Sequence, residues 1–406
     1  MQSGATGDIT RQRRTSLKHG GEEGGEEGGE DEDAGEDEEV KIVSSPKQNK
    51  ESNNKNKMDL LLLIDCTASM GSYIAKAKSC IADIATRFQQ QYPGAGVLRI
   101  GVIAYRDHPP QDLSYVTRVF DFSDDAAAAR AFVDALSASG GGDGPEAVGE
   151  ALSEAVRCDW RPGATKVAVL IADAPPHGIG ESGDGFPQGV PGSADPFVSI
   201  NSLSATGVRL YPVGCLPALA NYRFAIPFFI EAARKTGGKS VALEGAHHLG
   251  DVIFGASLVE MGLAELKLDA QRRCAAAAAT NPTLSTAQLQ VLVASDMCEA
   301  GVVYRSLGGA TDLSEKTKNA ALFSGQRDLA GARNRTGCAV DEAPPDGGTC
   351  NAYRSLGSDG WVESAEKRVR CTEKPVVPVV PVPDVALVTE TTVTADFLEA
   401  LFQRTV

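Results

Sequence analysis

The pattern of hydrophobic positions changes abruptly at Met58. Before it, residues 1–57 combine Gly-Glu repeats with a polar stretch and offer few apolar side chains, which predicts a disordered acidic tail. After it comes the run from Leu60 to Ile64, an unbroken apolar segment that ends at an aspartate. Such a run is typical of a parallel strand covered on both faces. A folded domain is therefore predicted to begin at residue 58.

Strand-like and helix-like segments alternate from residue 58 to residue 266. Further apolar runs predict strands at 97–105, 116–122, 165–172, 209–213 and 240–243. Helical spacing of apolar residues predicts helices at 72–91, 126–136, 145–157, 198–205, 222–236 and 249–266. This alternation predicts an α/β fold, a doubly wound, mainly parallel, Rossmann-like sheet with helices on both faces. Ligands of such sheets bind beyond the carboxyl ends of the strands.

The pattern weakens beyond residue 266. Residues 267–373 are interpreted as an uncertain region, small or partly ordered. Within it the sequence Tyr-Arg-Ser-Leu-Gly at 304–308 recurs at 353–357, which either marks a duplicated unit or is a chance match. The prolines of 374–385 predict an extended linker. In the segment 386–406, Thr394 is expected to cap a short helix, whose apolar stripe we expect to pack on this protein.

Charge and composition narrow the choice of partners and compartment. The net charge is −15, but 12 carboxylates lie between Glu22 and Glu39, so the rest of the chain carries only −3. We therefore expect weak electrostatic steering and no nucleic acid partner. No apolar run approaches the roughly 20 residues of a membrane span. The first 18 residues lack the apolar core of a signal peptide, so an intracellular, cytoplasmic protein with reduced cysteines is expected.

One short motif lies in the predicted tail. Arg13 and Arg14 precede Thr15 and Ser16, an arrangement that resembles the site of a basophilic Ser/Thr kinase. Ser16 is therefore a candidate phosphorylation site, although short matches of this kind are common.

The residues with the most informative chemistry follow the first strand. Asp65, Thr67 and Ser69 alternate along a loop at the predicted carboxyl edge of the sheet. Hard cations such as Mg²⁺ prefer oxygen ligands and release their waters reluctantly, so the two hydroxyls could bind an ion directly while Asp65 acts through water. Since hydroxyls are neutral, the ion would keep positive charge with which to attract a partner. Asp173 ends another predicted strand and is expected to join this site, mainly through water.

These motifs resemble the metal-ion-dependent adhesion site, or MIDAS, of the von Willebrand factor type A (VWFA, or VWA) family, in which Asp-x-Ser-x-Ser is followed by Thr and then Asp. Thr67 stands in place of the first serine and keeps its hydroxyl. The segments DCTASM, GVIAYRDH, GGGDGPEA, IADAPPHG, GDGFPQG and YPVGC are similar to the VWA domain that accompanies atypical alpha-kinases. The resemblance covers about half of the chain and implies Mg²⁺ or Mn²⁺ bound at the carboxyl edge of a VWA fold spanning 58–266.

The second metal-site loop departs from the family motif. Where the motif has threonine, the glycine-rich loop 140–146 offers only Asp143 and Glu146, and either residue could approach the metal. We favour Asp143. A carboxylate at this position would lower the residual charge of the ion and weaken its attraction for an acidic partner. No glycine-rich nucleotide loop follows residue 270, so no kinase domain is recognised.

Other interpretations remain for several of these residues. Asp65 could simply cap a helix at a strand-to-helix turn, or it could be the nucleophile of a HAD-type phosphatase. The latter needs a second acid two residues later, where Thr67 stands instead. His108 and His177 are expected to fix loops, because neither has cysteines or further histidines nearby in sequence.

The long loop 178–196 follows the strand that carries Asp173. Long loops in compact domains are usually functional or disordered, and this one contains Asp184, Phe186 and Asp195. We interpret these three residues as a partner-binding, specificity-determining loop.

The combined hypothesis is a non-enzymatic, metal-dependent protein-binding module that serves as a scaffold or regulatory protein and binds its protein partner at the metal face. A second hypothesis is a regulatory chain related to alpha-kinase proteins and acting with a separate kinase. A remote third is a phosphate-ester hydrolase that depends on Asp65.

Overall fold

A six-stranded sheet forms the centre of the protein. The structure is a computed structural model that describes residues 57–94, 96–308, 312–338 and 388–403. The strands of the sheet are β1 (Met58–Asp65), β2 (Leu98–Tyr105), β3 (Thr117–Ser123), β4 (Thr165–Ala172), β5 (Arg209–Cys215) and β6 (Val241–Leu243). Their order is β3-β2-β1-β4-β5-β6, and only β3 runs antiparallel to its neighbour. The predicted α/β, mainly parallel sheet is confirmed.

Helices cover both faces of the sheet. They are α1 (Gly71–Gln91), α2 (Ala126–Asp134), α3 (Val148–Arg157), α4 (Pro196–Ala205), α5 (Ala225–Thr236) and α6 (Leu249–Thr280). Leu60 and Leu62 of β1 pack with α1 and α6 on one face, whereas Leu61 and Leu63 pack with α3, α4 and α5 on the other. Successive side chains of a strand point to opposite faces, so the continuous apolar run of β1 is needed to bury both. This is the doubly wound arrangement expected from the sequence.

The strand order changes direction beside β1, and this change determines where the candidate site lies. The chain leaves β1 towards β2 on one side, while β4 lies on the other side of β1. Both neighbours are parallel to β1, and Ile64 of β1 pairs with Ile171 of β4. Asp65 and Asp173 therefore reach the same carboxyl edge, at the crevice where open α/β sheets bind ligands.

Three predicted helix boundaries were wrong by three residues or more, and one of them is the start of α5, which begins at Ala225 and not at residue 222. Pro145 does not begin a helix, because Glu146 pairs with Pro176 in an isolated bridge and α3 starts only at Val148. The last helix of the predicted domain passes residue 266 and continues to Thr280. Its later part has fewer large apolar residues, and the helix is extended there by an alanine-rich segment with high helix propensity.

The chain beyond α6 packs against the same sheet. It forms α7 (Thr286–Glu299), β7 (Val303–Leu307), α8 (Leu329–Cys338), β8 (Val388–Thr392) and α9 (Ala395–Gln403), with β7 and β8 paired antiparallel. Met297 and Leu398 share the core on the α1/α6 face, whereas Leu313 and Phe323 join the core on the opposite face. Segments outside the predicted domain thus complete the hydrophobic core on each side of the sheet.

The expected terminal helix is present. The hydroxyl of Thr394 accepts a hydrogen bond from the amide of Phe397 at 3.2 Å, as a capping residue does. Leu398 and Leu401 are buried, and the ring of Phe397 stacks on Tyr304. The apolar stripe therefore docks on its own protein.

Several predictions concern residues outside the described ranges. These are the disordered tail with its candidate phosphorylation site Ser16, the second Tyr-Arg-Ser-Leu-Gly copy at 353–357, and the proline-rich linker at 374–385. The first copy of the repeat lies mostly in β7.

Candidate metal centre

Asp65 ends β1 and is completely buried. Its Oδ1 accepts hydrogen bonds from the amide of Thr67 at 2.9 Å and from the hydroxyl of Thr67 at 2.6 Å. Its Oδ2 is also buried but has no hydrogen-bond partner among the described residues. An unsatisfied carboxylate oxygen in this environment is energetically costly, so Oδ2 is suited to contact a cation or a water bound to one.

The hydroxyls of the loop after β1 point to the same place. The Oγ1 of Thr67 lies 3.4 Å from the Oγ of Ser69. Ser69 in turn lies close enough to Asp173, just beyond β4, to lower the pKa of that carboxyl group. The structure therefore brings together Asp65, Thr67, Ser69 and Asp173, the four residues that the sequence placed on the first and third metal-site loops.

The electrostatics of this group disfavour two free carboxylates. Burial, followed by the charge of Asp173, raises the pKa of Asp65 to about 8 despite the hydrogen bonds from Thr67. Burial also raises the pKa of Asp173, although the contact with Ser69 partly offsets it. A nearby divalent cation would reverse this preference, because it stabilises the ionised form of each carboxyl group.

Glu146 is the acidic residue of the second loop that lies beside Thr67. A β-carbon added to Gly141 would be 2.7 Å from Oε1 of Glu146 and 3.4 Å from Cβ of Thr67. Glu146 is 5% exposed, and its Oε2 has no hydrogen-bond partner in the described part of the chain. Burial and then the charge of Asp65 raise its pKa well above the ordinary range.

Asp143, which the sequence favoured as the ligand from this loop, lies in a different group. Its Oδ2 accepts a hydrogen bond from the amide of Gly185. One of its carboxylate oxygens lies within 4.8 Å of ligand atoms of both Asp107 and His177. Burial raises its pKa to about 6. The geometry thus associates Glu146 with Asp65 and Thr67, and Asp143 with Asp107 and His177, while the choice of metal ligand stays a prediction.

His177 connects the end of β4 to the long loop that follows. Its Nε2 lies 2.7 Å from Oδ1 of Asp107, and its Nδ1 lies 2.7 Å from Oδ1 of Asp184. Burial alone would lower the pKa of His177, but the hydrogen bonds to these two carboxylates raise it to about 9. His177 therefore fixes the loop through Asp184, which is the kind of position the sequence suggested for it.

The three residues predicted to bind a partner have different surroundings. Asp184 is buried and accepts hydrogen bonds from the amides of Gly178 at 2.7 Å and Phe186 at 2.8 Å. Asp195 caps α4 and also accepts the amide of Leu329 at 2.7 Å. Phe186 is half-buried against the rings of His108 and His177. The two aspartates therefore hold the loop in shape through backbone amides, whereas the Phe186 side chain is half-buried against two imidazole rings.

Asp107 is the residue of this region that the sequence analysis did not select. It follows β2, is completely buried, and contacts His177. Its position directly after an apolar strand was the available signal, the same one that identified Asp65 and Asp173. The adjacent Pro109-Pro110 sequence is equally consistent with a structural turn, which obscures that signal.

The donor set around Asp65 fits a hard divalent cation. It consists of hydroxyl and carboxylate oxygens, the ligands that Mg²⁺ and Mn²⁺ prefer. Buried oxygens of Asp65 and Glu146 have no hydrogen-bond partner within the described ranges. Burial and the charges of neighbouring carboxylates raise their pKa values. No basic side chain of the described ranges is among the groups that shift the pKa of Asp65, so a cation matches both the chemistry and the electrostatics of this carboxylate.

A doubly wound sheet of this topology, with a hydroxyl-rich loop after β1, is the class of α/β domain that the sequence resemblance implied. Residues 59–224 match the family model of the von Willebrand factor type A domain. The chain contains a von Willebrand factor type A domain, and the match ends within the described sheet, before β6. The family resemblance inferred from the sequence is therefore confirmed.

Two curated relatives are similar to part of the chain. The chain is 35% identical over 136 residues to the alpha-protein kinase vwkA of Dictyostelium discoideum. The aligned segment is 33% of this chain and 21% of that protein. It is 28% identical over 198 residues to a putative ariadne-like RING finger protein of Acanthamoeba polyphaga mimivirus, covering 47% of this chain and 18% of that one. The chain thus spans only about a fifth of the length of either relative.

Solved structures give a similar comparison at lower identity. A von Willebrand factor type A protein from Catenulispora acidiphila is 18% identical, with a TM-score of 0.36, over 51% of this chain and 43% of the other. The pilus adhesin SpaC of Lactobacillus rhamnosus GG is 12% identical, with a TM-score of 0.39, over 52% of this chain and 31% of the other.

Among the described residues, no helix is sufficiently long and apolar to traverse a lipid bilayer.

Proposed function

We propose that the von Willebrand factor type A domain binds Mg²⁺ or Mn²⁺ and recognises a protein partner through that ion. The observation that carries this proposal is the unpartnered Oδ2 of Asp65 beside the Thr67 and Ser69 hydroxyls. Thr67 and Ser69 would be direct ligands, while Asp65 and Asp173 would act mainly through bound water. The ion would hold the loops after β1 and β4 together and present its remaining coordination position to the partner.

The acidic second loop sets the chemistry of the partner. With Glu146 beside Thr67, the ion would be surrounded by three carboxylates, those of Asp65, Glu146 and Asp173. A Mg²⁺ ion with that many acidic neighbours keeps little net positive charge. The partner group is therefore expected to be neutral, such as a carbonyl or hydroxyl oxygen, and need not be the acidic side chain that a hydroxyl-only site attracts.

The surface beside this site has features of a recognition face. A groove of about 240 Å³ is lined by the loop 188–195, by Glu146 and His177, and by Leu329 and Arg333 of α8. Arg333 also donates to the backbone carbonyl of Gln188 at 3.0 Å, which ties α8 to the loop. The predicted specificity loop would therefore act together with a helix outside the matched domain.

Titration calorimetry of the full chain tests the metal site. We expect Mg²⁺ or Mn²⁺ to bind with one equivalent, and Asp65→Asn to abolish that binding because it removes the only charge on the loop after β1. Asp159→Asn is the matched control, since the Asp159 side chain is 97% exposed and lies at the opposite end of the strands. Binding that is absent in the unmodified protein, or unchanged in Asp65→Asn, would contradict the proposal.

The partner is tested by affinity capture from a cell extract in the presence of Mg²⁺. Proteins recovered with the unmodified chain, but lost with a chelator and with Asp65→Asn, are the expected partners. If every captured protein is retained in the presence of chelator, recognition does not depend on the metal.

A regulatory role beside a separate kinase is the second candidate. The similarity to an alpha-protein kinase over 136 residues favours it. We propose a non-enzymatic chain in either case, so purified protein incubated with ATP and a generic acceptor should transfer no phosphate. A phosphate-ester hydrolase, in contrast, would turn over substrate in a manner that depends on Asp65. The complete burial of Asp65 and its hydrogen bonds to Thr67 argue against its use as a nucleophile.

A further inference from the structure

A second group of ligand atoms lies beside the Asp65 site. Asp107 follows β2, Asp143 belongs to the glycine-rich loop, and His177 follows β4, yet one ligand atom from each lies within 4.8 Å of the others. None of the three loops that carry these residues is adjacent to another in sequence. Convergence of two carboxylates and an imidazole from separate loops resembles the way proteins assemble three-residue sites for transition metals.

Two oxygens of this group lack hydrogen-bond partners. Asp107 is completely buried, and its Oδ2 contacts no donor in the described part of the protein. The Oδ1 of Asp143 is in the same situation, while its Oδ2 is held by the amide of Gly185. Each carboxylate therefore has one oxygen fixed by a neighbour and one oxygen available to a ligand. Buried carboxylate oxygens without donors are costly, so these positions point to a cation.

The carboxylate of Asp184 fixes the orientation of the His177 imidazole. Nδ1 of His177 lies 2.7 Å from Oδ1 of Asp184. The Asp184 carboxylate is itself held by the amides of Gly178 and Phe186. Loss of the Nε2 proton to solvent on cation binding would leave the remaining proton on Nδ1 and free the Nε2 lone pair, on the Asp107 side of the ring, for the ion. Metal-binding histidines commonly donate their other ring N–H to a carboxylate in this way, which sets the tautomer and increases the basicity of the ligand.

The donor chemistry separates this group from the Asp65 site. Thr67 and Ser69 supply hydroxyl oxygens, which suit Mg²⁺, whereas the Asp107 group includes an imidazole, which suits Zn²⁺ and neighbouring transition metals. The two groups are close enough that the charges of Asp65, Asp107, Asp143 and Asp173 all raise the pKa of Glu146.

We propose that Asp107, Asp143 and His177 form a second divalent-cation site, selective for an ion of the Zn²⁺ class and distinct from the site at Asp65. Three protein ligands leave a fourth tetrahedral position for water or for a group from a partner, and Asp143 is only partly buried, so the position is accessible. The ion ties together the loops after β2 and β4 and the glycine-rich loop. Through His177 and Asp184 it also anchors the loop 178–195.

Zinc titration of the full chain in excess Mg²⁺ tests this site, because Mg²⁺ occupies the Asp65 site and leaves the imidazole site to Zn²⁺. We expect one equivalent of Zn²⁺ to bind. His177→Gln and Asp143→Asn should remove this binding. Asp184→Asn keeps the three ligands but weakens the orienting hydrogen bond, so the Zn²⁺ affinity should fall by about 10- to 100-fold.

Matched variants separate this site from others. Asp65→Asn should lose Mg²⁺ binding and keep the equivalent of Zn²⁺, whereas Asp143→Asn should do the reverse. His247 and His248 are adjacent imidazoles elsewhere on the chain, so His247→Gln is the control for adventitious zinc and should leave the affinity unchanged. Circular dichroism verifies that each variant is folded, and Asp143→Asn can still accept the Gly185 amide.

Two results would overturn the proposal. One is the absence of a zinc equivalent in the unmodified chain with Mg²⁺ present, in which case His177 serves as an ion-paired imidazolium between Asp107 and Asp184. The other is zinc binding that survives unchanged in both His177→Gln and Asp143→Asn.

Discussion

The amide and hydroxyl of Thr67 both donate to the same carboxylate oxygen of Asp65, at 2.9 and 2.6 Å. This two-point contact fixes the carboxylate, and its other oxygen is buried without a hydrogen-bond partner among the residues that the structure describes. Asp65 is thereby held in an orientation useful to a metal ion, at a cost to the stability of the metal-free protein. The same contact explains why threonine can replace the first serine of the family motif, since the hydroxyl is what the geometry uses.

Asp65→Asn is expected to increase the stability of the metal-free protein. Asparagine still accepts the Thr67 hydrogen bonds and is already neutral, so it avoids the cost of protonating a carboxylate whose pKa is raised to about 8 by burial and by Asp173. The free energy of unfolding at pH 7 should rise by on the order of 2 kcal/mol. Urea denaturation in a chelating buffer measures this change. Added Mg²⁺ should stabilise only the unmodified protein. If Asp65→Asn is less stable than the unmodified protein in chelator and is still stabilised by Mg²⁺, Asp65 is not part of the metal site.

Gly140→Ala is expected to disrupt the second loop. Gly140 has a φ of +81°, and a β-carbon there would lie 1.7 Å from Oδ2 of Asp112. Gly163→Ala is the matched control, because Gly163 has a φ of +72° but nothing within 4 Å of the added carbon. The control should cost about 1–2 kcal/mol from backbone strain alone, and Gly140→Ala about 1–3 kcal/mol more from the clash. Equal losses in urea denaturation would show that Asp112 moves aside freely.

Glu181 is expected to make stability depend on pH. Burial raises its pKa from the ordinary 4.5 to about 7, although the amides of Phe224 and Arg223 partly offset this. Between these two values the folded protein keeps a proton that the unfolded chain has released. The Glu181 contribution to the free energy of unfolding therefore decreases as pH rises from about 4.5 to 7, by up to about 1.4 kcal/mol per pH unit.

The variant Glu181→Gln cannot titrate, so its stability profile over this pH range should be flatter than that of the unmodified protein. Denaturation midpoints at a series of pH values provide the comparison. Glu399→Gln on the exposed side of α9 is the control and should leave the slope unchanged. A slope identical in Glu181→Gln and the unmodified protein would remove Glu181 as its source.

Leu398→Ala is expected to destabilise the whole domain, although it lies far beyond the matched residues. Leu398 is completely buried in the core shared with Met297 and β1. Loss of its side chain should reduce the free energy of unfolding by about 2–5 kcal/mol, in a single cooperative transition. Val291→Ala is the surface control, as Val291 is 72% exposed. If Leu398→Ala leaves the main transition unchanged, the terminal helix folds separately from the sheet.

Much of the fold was predictable because it depends on local pattern. The strand 165–172 and, to within one residue, at least one end of every other central helix and strand follow from apolar runs and helical spacing. The von Willebrand factor type A resemblance followed from short motifs at strand ends. The length of α6 was underestimated, because alanine-rich helices lack the amphipathic spacing that marks a helix in sequence.

The sequence by itself determined the fold class and the first and third loops of the site. Asp65, Thr67, Ser69 and Asp173 follow directly from β1 and β4, and parallel strands bring such residues to one edge. Only the tertiary structure decided how the second loop is divided, with Glu146 beside Thr67 and Asp143 beside Asp107 and His177. The physical reason is that the left-handed glycines 140 and 141 set the path of that loop, and sequence spacing does not determine which of two nearby carboxylates turns towards which neighbour.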